Sequence, residues 1–252
     1  MTEVVECADA EELAARAADS MLEAIRSAVQ SRGVARIALS GGTTPIGAYQ
    51  KLATLLRDVE HTRWFWVDER AVPPDHPRSN YGLAQRHLLG PAGVPAAQVF
   101  RMRGEDPPED AARDYAGVLM TQIDQRQHGA NNGHPGWQIE LDLVVAGVGD
   151  DGHTASLFPN TGAVLREDRP VLVVDPAQGL ERRLTLSRPV LLSARRTVIL
   201  CAGAGKAAAV ARALSPGDED EVPARLYRAA RPGSVTWFLD RNAASNLGHS
   251  GS

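Results

Sequence analysis

"VARIALSGGTTPIGAYQKLATLLR", residues 34–57, reads as one strand, one glycine turn and one helix. Val34, Ile37, Ala38 and Leu39 make a short apolar run that suits a strand buried on both faces. Gly41 and Gly42 break the run. Pro45 behind Thr44 fits the first position of a new helix with a threonine cap, and that helix is expected to reach about Arg57. A strand that turns straight into a helix is half of a parallel βα unit, so the fold depends on whether the pattern repeats.

It repeats along the chain. Upstream, Leu13, Ala17, Met21, Ile25 and Val29 recur every four residues, a helical stripe from Asp9 to Arg32 that Gly33 ends. Downstream, "RWFWVD" (63–68) reads as a strand ending in Asp68, Glu69 and Arg70, followed by a helix near Tyr81 to Leu89. "QVFRM" (98–102) reads as a third strand, and Pro107 and Pro108 open a helix to about Gln127. Beyond the loop "HGANNGHPG" (128–136) come the strand "IELDLVVAG" (139–147) and short strands near "VLVVD" (171–175) and "RRLTLS" (182–187). The strand "RTVILCAG" (196–203), a helix from Lys206 to Leu214, a solvated acidic loop at 215–224 and the strand "SVTWFLD" (234–240) follow. The expectation is one α/β domain over 1–252 with a largely parallel sheet covered by helices, its tail fraying from about 243.

Bulk composition narrows the function. At 252 residues, 43% hydrophobic and 23% charged, the chain can build one large core. A net charge of -4 without a basic stripe argues against a nucleic-acid partner, and no apolar run approaches membrane-spanning length. Cys7 and Cys201 lie far apart, which suggests a reducing compartment without a disulfide scaffold. The acidic, alanine-rich start does not read as a secretory signal. A cytoplasmic protein, monomeric or weakly dimeric, is expected.

The unusual residues fall after strands, where open α/β sheets bind ligands. Ser40, Gly41, Gly42, Thr43 and Thr44 offer a close backbone approach, hydroxyls and a helix start, which together suit phosphate. A purely structural turn fits the same residues. The lysine and spacing of a Walker loop are missing, as is GxGxxG. Asp68 is a strand-end carboxylate, whereas Glu69 reads as a cap or a partner of Arg70. Lys206 stands at a helix start, against the dipole, where a bound anion would justify it. One of Arg182 and Arg183 could add a bidentate phosphate contact, the other being surface charge. In "GDDGH" (149–153), Asp150, Asp151, Gly152 and His153 gather on a glycine turn; an imidazole there can take a proton from water when a carboxylate orients it. Metal ligation by these groups is disfavoured, since no second histidine stands at ligand spacing and no HExxH occurs. No GxSxG elbow points to a serine hydrolase.

Taken together, "LSGGTTP", "FWVDERAVPPDHPRSNYG", "GVGDDGHTASLFP", "RRLTLS" and "GAGKAAAV" resemble, in this order, the 6-phosphogluconolactonases, from about Val4 to Asp240. Val148 and Asn160 depart from the pattern, where Met and Gly are expected, without touching the chemistry. The resemblance implies hydrolysis of 6-phosphoglucono-δ-lactone, with no metal or organic cofactor. It implies a three-layer α/β/α sandwich with a mostly parallel, Rossmann-like sheet, shared with glucosamine-6-phosphate deaminases and ribose-5-phosphate isomerases. By position His153 matches the general base and Asp68 the acidic partner; the oxyanion would be stabilised by backbone N–H groups of a glycine turn or by Arg70. Gly41, Gly42 and Thr43 of the glycine-threonine loop, Arg183 and Lys206 match phosphate contacts, and Ser40, Asp151 and Gly152 are expected beside them at the substrate.

Two rivals remain. The deaminases carry a glutamate five residues after the histidine, and Phe158 stands there in this chain. A sugar-phosphate sensor of the same fold would need a DNA-binding module, and only one acidic helix is read before Val34.

Overall fold

The computed structural model describes residues 3–57, 59–123, 139–176 and 180–248. In chain order, β1 (Glu3–Cys7) leads into α1 (Ala10–Arg32), then β2 (Ala35–Leu39), α2 (Ile46–Leu55), β3 (Thr62–Trp66) and β4 (Asp68–Arg70). There follow α3 (Asn80–Ala84), α4 (Pro108–Gln122), β5 (Leu143–Gly147), β6 (Val171–Val174), β7 (Arg183–Leu186) and α5 (Arg188–Ser193). The chain closes with β8 (Arg196–Cys201), α6 (Ala207–Leu214), β9 (Val235–Asp240) and α7 (Arg241–Ala244).

Six strands form a wholly parallel sheet in the order β1-β9-β8-β5-β2-β3, flanked by helices as an α/β sandwich. Its central strands are buried on both faces, which is why they read as unbroken apolar runs. From β2 the chain winds outward to β3; from β5 it winds the other way through β8 and β9. The loops after β2 and β5 therefore diverge from neighbouring strands, and such a switch point leaves a crevice at the carboxyl edge.

Helix α1 follows its sequence closely. Asp9 caps it by accepting from the N–H groups of Glu11 and Glu12, and Gly33 ends it at φ 74°, donating to Val29. Its stripe, including Leu13, Ala17, Met21 and Ile25, is buried against the sheet. Cys7 and Cys201 are both buried free thiols.

Several expectations are corrected. The strand read as 63–68 ends at Trp66, and Asp68–Arg70 is a strand of a second, three-stranded antiparallel sheet, β4-β7-β6. The segment "QVFRM" makes only an isolated bridge between Val99 and Trp64, so it is no strand. Pro45 is the cap residue of α2 and no side-chain cap bond forms, so Thr44 does not cap it. The helix near Tyr81 is a short α-helix that loosens into a π-helical turn at Gln85–Leu89. A strand at Glu3–Cys7 precedes the first one read; it lies at the sheet's edge and is largely exposed, so it lacks an apolar run. Ala243 and Ala244 are buried in α7, so fraying does not begin at 243. The 215–224 loop is not wholly solvated, since Glu219 pairs with Arg188 and Asp220 accepts from the Gly162 N–H. The helix expected from 107 to about 127 ends earlier, at Gln122, where Ile123 turns extended and caps it by donating to the Leu119 carbonyl; the loop at 128–136 lies outside the described residues.

Candidate active site

The crevice at the switch point is a cavity of about 230 Å³ lined by Ser40, Gly41, Gly42, Thr43, Thr44, Asp68, Arg70, Asn80, Gly149, His153 and Lys206, among others. Residues from four separate loops thus meet on one edge. A larger crevice of about 550 Å³ involves Glu3, Arg196 and Thr236, at the amino ends of the strands, away from these residues.

On the β2 side, Gly42 adopts φ 89°, a left-handed conformation that suits glycine. The carbonyl of Ser40 accepts from the hydroxyl of Tyr49, which anchors the loop to α2.

On the β5 side the turn closes on itself. The N–H of Gly149 donates to the His153 carbonyl at 2.8 Å, and that of Gly152 donates to Gly149 at 3.0 Å. Gly152 sits at φ 98°. Asp151 Oδ1 accepts the backbone N–H of His153 at 3.0 Å and faces its ring Nδ1 at 2.7 Å. Burial works against the Asp151 charge, but the hydrogen bonds and charge of His153 outweigh it and bring the carboxyl down to about 2. An ionised carboxylate only accepts, so in the neutral imidazole Nδ1 carries the hydrogen and Nε2 presents the lone pair. Phe158 lies beside the imidazole, ring centroids 4.9 Å apart.

Asp68, 7% exposed, does not hold the histidine. Its Oδ2 accepts from Ser156 Oγ at 2.6 Å and its Oδ1 from Asn80 Nδ2 at 3.1 Å. Glu69 is a structural acid: it accepts from Ser79 Oγ and from the N–H groups of Arg70, Asn80 and Tyr81, pinning α3 to β4. Burial pushes its carboxyl up against those donors.

Arg70 donates through Nη1 to the Arg78 carbonyl, and its buried Nε has no partner. Arg183 pairs with it in register across β4 and β7, and its Nε is likewise buried without a partner. Burial, then the neighbouring Arg70 charge, lower the Arg183 pKa, with Asp68 opposing. Arg182 instead binds Glu109 and Asp175 at the exposed side. Lys206 Nζ lies 2.6 Å from Asp150 Oδ1, so an acid of the chain also gives this lysine a structural partner. Asp151, Gly152 and Arg183 do not line the cavity themselves. Asn80 and Ser156 stand within the quoted motifs, but nothing in their local spacing marks them as site residues; only the fold turns them toward Asp68. Among the described residues no group of three or more His, Cys, Asp or Glu is placed to hold a metal ion.

Residues 8–237 match the family described as glucosamine-6-phosphate isomerases/6-phosphogluconolactonase. The chain belongs to this family. Its relatives include the 6-phosphogluconolactonase of Synechocystis sp., 38% identical over 88% of this chain and 89% of that one. The 6-phosphogluconolactonase of Mycobacterium tuberculosis is 35% identical over 95% and 96% of the two chains. The solved 6-phosphogluconolactonase of Trypanosoma brucei superposes with a TM-score of 0.84 at 30% identity, covering 98% of this chain and 99% of that one. For this family member no helix among the described residues is long and apolar enough to cross a membrane.

Proposed function

We propose that the protein hydrolyses 6-phospho-D-glucono-1,5-lactone to 6-phosphogluconate. One observation carries the reading: an imidazole held at Nδ1 by Asp151 opens on the same cavity as the Ser40–Thr43 loop and Lys206. A base and an anion site in one crevice of this size suit a small phosphorylated electrophile.

The chemistry follows from the groups present. The phosphate rests on the backbone of Gly41 and Gly42, the hydroxyls of Ser40 and Thr43, and Lys206. Anchoring the distant phosphate converts binding into orientation of the lactone. His153 Nε2 takes a proton from water as its oxygen attacks C1. The carbonyl oxygen becomes an oxyanion facing Arg70, whose side chain lines the cavity. As the tetrahedral centre collapses, the C1–ring oxygen bond breaks and the imidazolium returns the proton to the departing oxygen. Asp68 contributes negative charge at the pocket wall, where a carboxylate can accept from sugar hydroxyls. Phe158 against His153 disfavours a deaminase, whose relay would need an acid there.

The test is to generate the lactone in situ from glucose 6-phosphate and follow its loss with and without protein, since lactones hydrolyse spontaneously. Acceleration by the wild type that His153→Ala abolishes supports the reading. Tight binding of 6-phosphogluconate without acceleration would mean that the pocket is right and the reaction wrong.

A further inference from the structure

Asn80 is 1% exposed, lines the cavity and belongs to none of the groups given a chemical task above. Its Nδ2 donates twice to one residue, to the Asp68 carbonyl at 2.9 Å and to Asp68 Oδ1 at 3.1 Å. Turning the amide over would set its oxygen against two acceptors, so the orientation is settled. The other end, Oδ1, is buried without a hydrogen-bond partner. That oxygen lies directly over Gly41: a Cβ built there would stand 1.7 Å from Oδ1 and 2.3 Å from Cγ. A glycine Cα–H facing a carbonyl oxygen is a weak donor, which offsets part of the cost of leaving the acceptor buried.

We propose that Asn80 is a positioning residue that sets the acid Asp68 in register with the anion loop at Gly41. Its backbone is fixed first, because Glu69 Oε1 accepts its N–H at 2.8 Å while Glu69 Oε2 holds Ser79 and Tyr81. The side chain then spans from β4 to the loop after β2. Ser156 grips Asp68 from the far side, so the carboxylate is clamped between Asn80 and the segment after β5. Three loops that are remote in sequence are thereby tied at one acid. Gly41 is glycine here because the amide occupies the space a side chain would need, over and above any contact with phosphate.

This role presupposes the lactonase reading, and the experiment separates the two. Wild type, Asn80→Ala, Gly41→Ala and the double variant are compared for kcat and KM on lactone made in situ. Affinity for inorganic phosphate is measured by calorimetry, and thermal midpoints control for folding. Asp68 orients the lactone through its hydroxyls while the phosphate anchors it, and misplacing a bound reactant by about an ångström costs ~100-fold in rate, so Asn80→Ala should lower kcat by ~10- to 100-fold with KM and phosphate affinity within ~3-fold. Gly41→Ala should be at least as harmful. The double variant should lose little more than the worse single one, because removing the amide opens the space for the new methyl group. Asn80→Asp keeps the shape but turns an acceptor toward Asp68, and should fall as far as Asn80→Ala; with Asn80→Ser it carries the comparison if the alanine variant does not fold. Losses that multiply in the double variant, or lower midpoints with kcat intact, overturn the role of Asn80. A wild type without lactone hydrolysis overturns the functional reading instead.

Discussion

Asp151 holds His153 twice, accepting its backbone N–H at 3.0 Å and meeting its Nδ1 at 2.7 Å through the same carboxylate oxygen. The two residues are separated by Gly152 alone, in the left-handed conformation, so the orienting acid and the base come from a single turn. Replacing Asp151 by Asn presents an amide that can donate to Nδ1 and so favour the tautomer with hydrogen on Nε2. Steady-state kinetics should then show kcat reduced by ~10- to 1,000-fold with KM within ~3-fold, the size general-base catalysis commonly contributes. An unchanged kcat would separate Asp151 from the proton transfer.

The same pair makes a prediction for acid stability. Folding lowers the Asp151 carboxyl from 3.8 to about 2, so the folded state binds this proton less readily than the unfolded one. Its stabilising contribution is complete above pH 3.8 and is lost as the pH falls toward 2. With the side chain 51% exposed, solvent screening reduces the contribution to ~1 kcal/mol. Urea midpoints of wild type and Asp151→Asn should differ at pH 5 to 7, on the order of that amount, and converge near pH 2. A gap that persists undiminished at the lowest pH would assign the effect to something other than this carboxylate.

Lys206 is shared between Asp150 and whatever anion enters the pocket. Asp150 is 72% exposed, so the pair is weak and salt-sensitive. Asp150→Asn should tighten inorganic phosphate by ~2- to 5-fold at low ionic strength, the scale of an exposed ion pair, with the gain shrinking in salt. Lys206→Ala should weaken phosphate by ~10-fold and abolish the effect of Asp150→Asn. Calorimetric titration of the two single variants and the double one decides this; a gain that survives without Lys206 would exclude competition for the lysine.

Gly149 has no room for a side chain. A Cβ there would stand 2.1 Å from His153 Nδ1 and 2.6 Å from Asp151 Oδ1. Gly149→Ala should therefore push the base off its acid, lowering kcat by ~100-fold at a stability cost of ~1 to 3 kcal/mol. Full activity in this variant would show that the histidine works from another rotamer.

Much of this architecture was legible from local pattern. The stripe from Leu13 to Ile25 and the stop at Gly33 are one helix because spacing and terminal chemistry act within a few turns. The apolar runs at β2, β5, β8 and β9 read as strands because both faces are buried. The small sheet was not legible as such. Asp68–Arg70 looks like the end of the strand before it, and only pairing with Arg183–Thr185, more than a hundred residues away, makes it a separate strand.

By itself, the sequence determined the alternating α/β frame, the glycine turns at its carboxyl edge and the kinds of group placed on them. Each of these depends on neighbours within one turn or one strand. Tertiary structure alone decided the partners. Successive side chains of a strand face opposite sides, so the pairing of β7 with β4 sends Arg183 toward Arg70 and leaves Arg182 to Glu109 and Asp175. The same long-range packing brings Asn80 between Asp68 and Gly41, a contact across loops that local spacing does not encode.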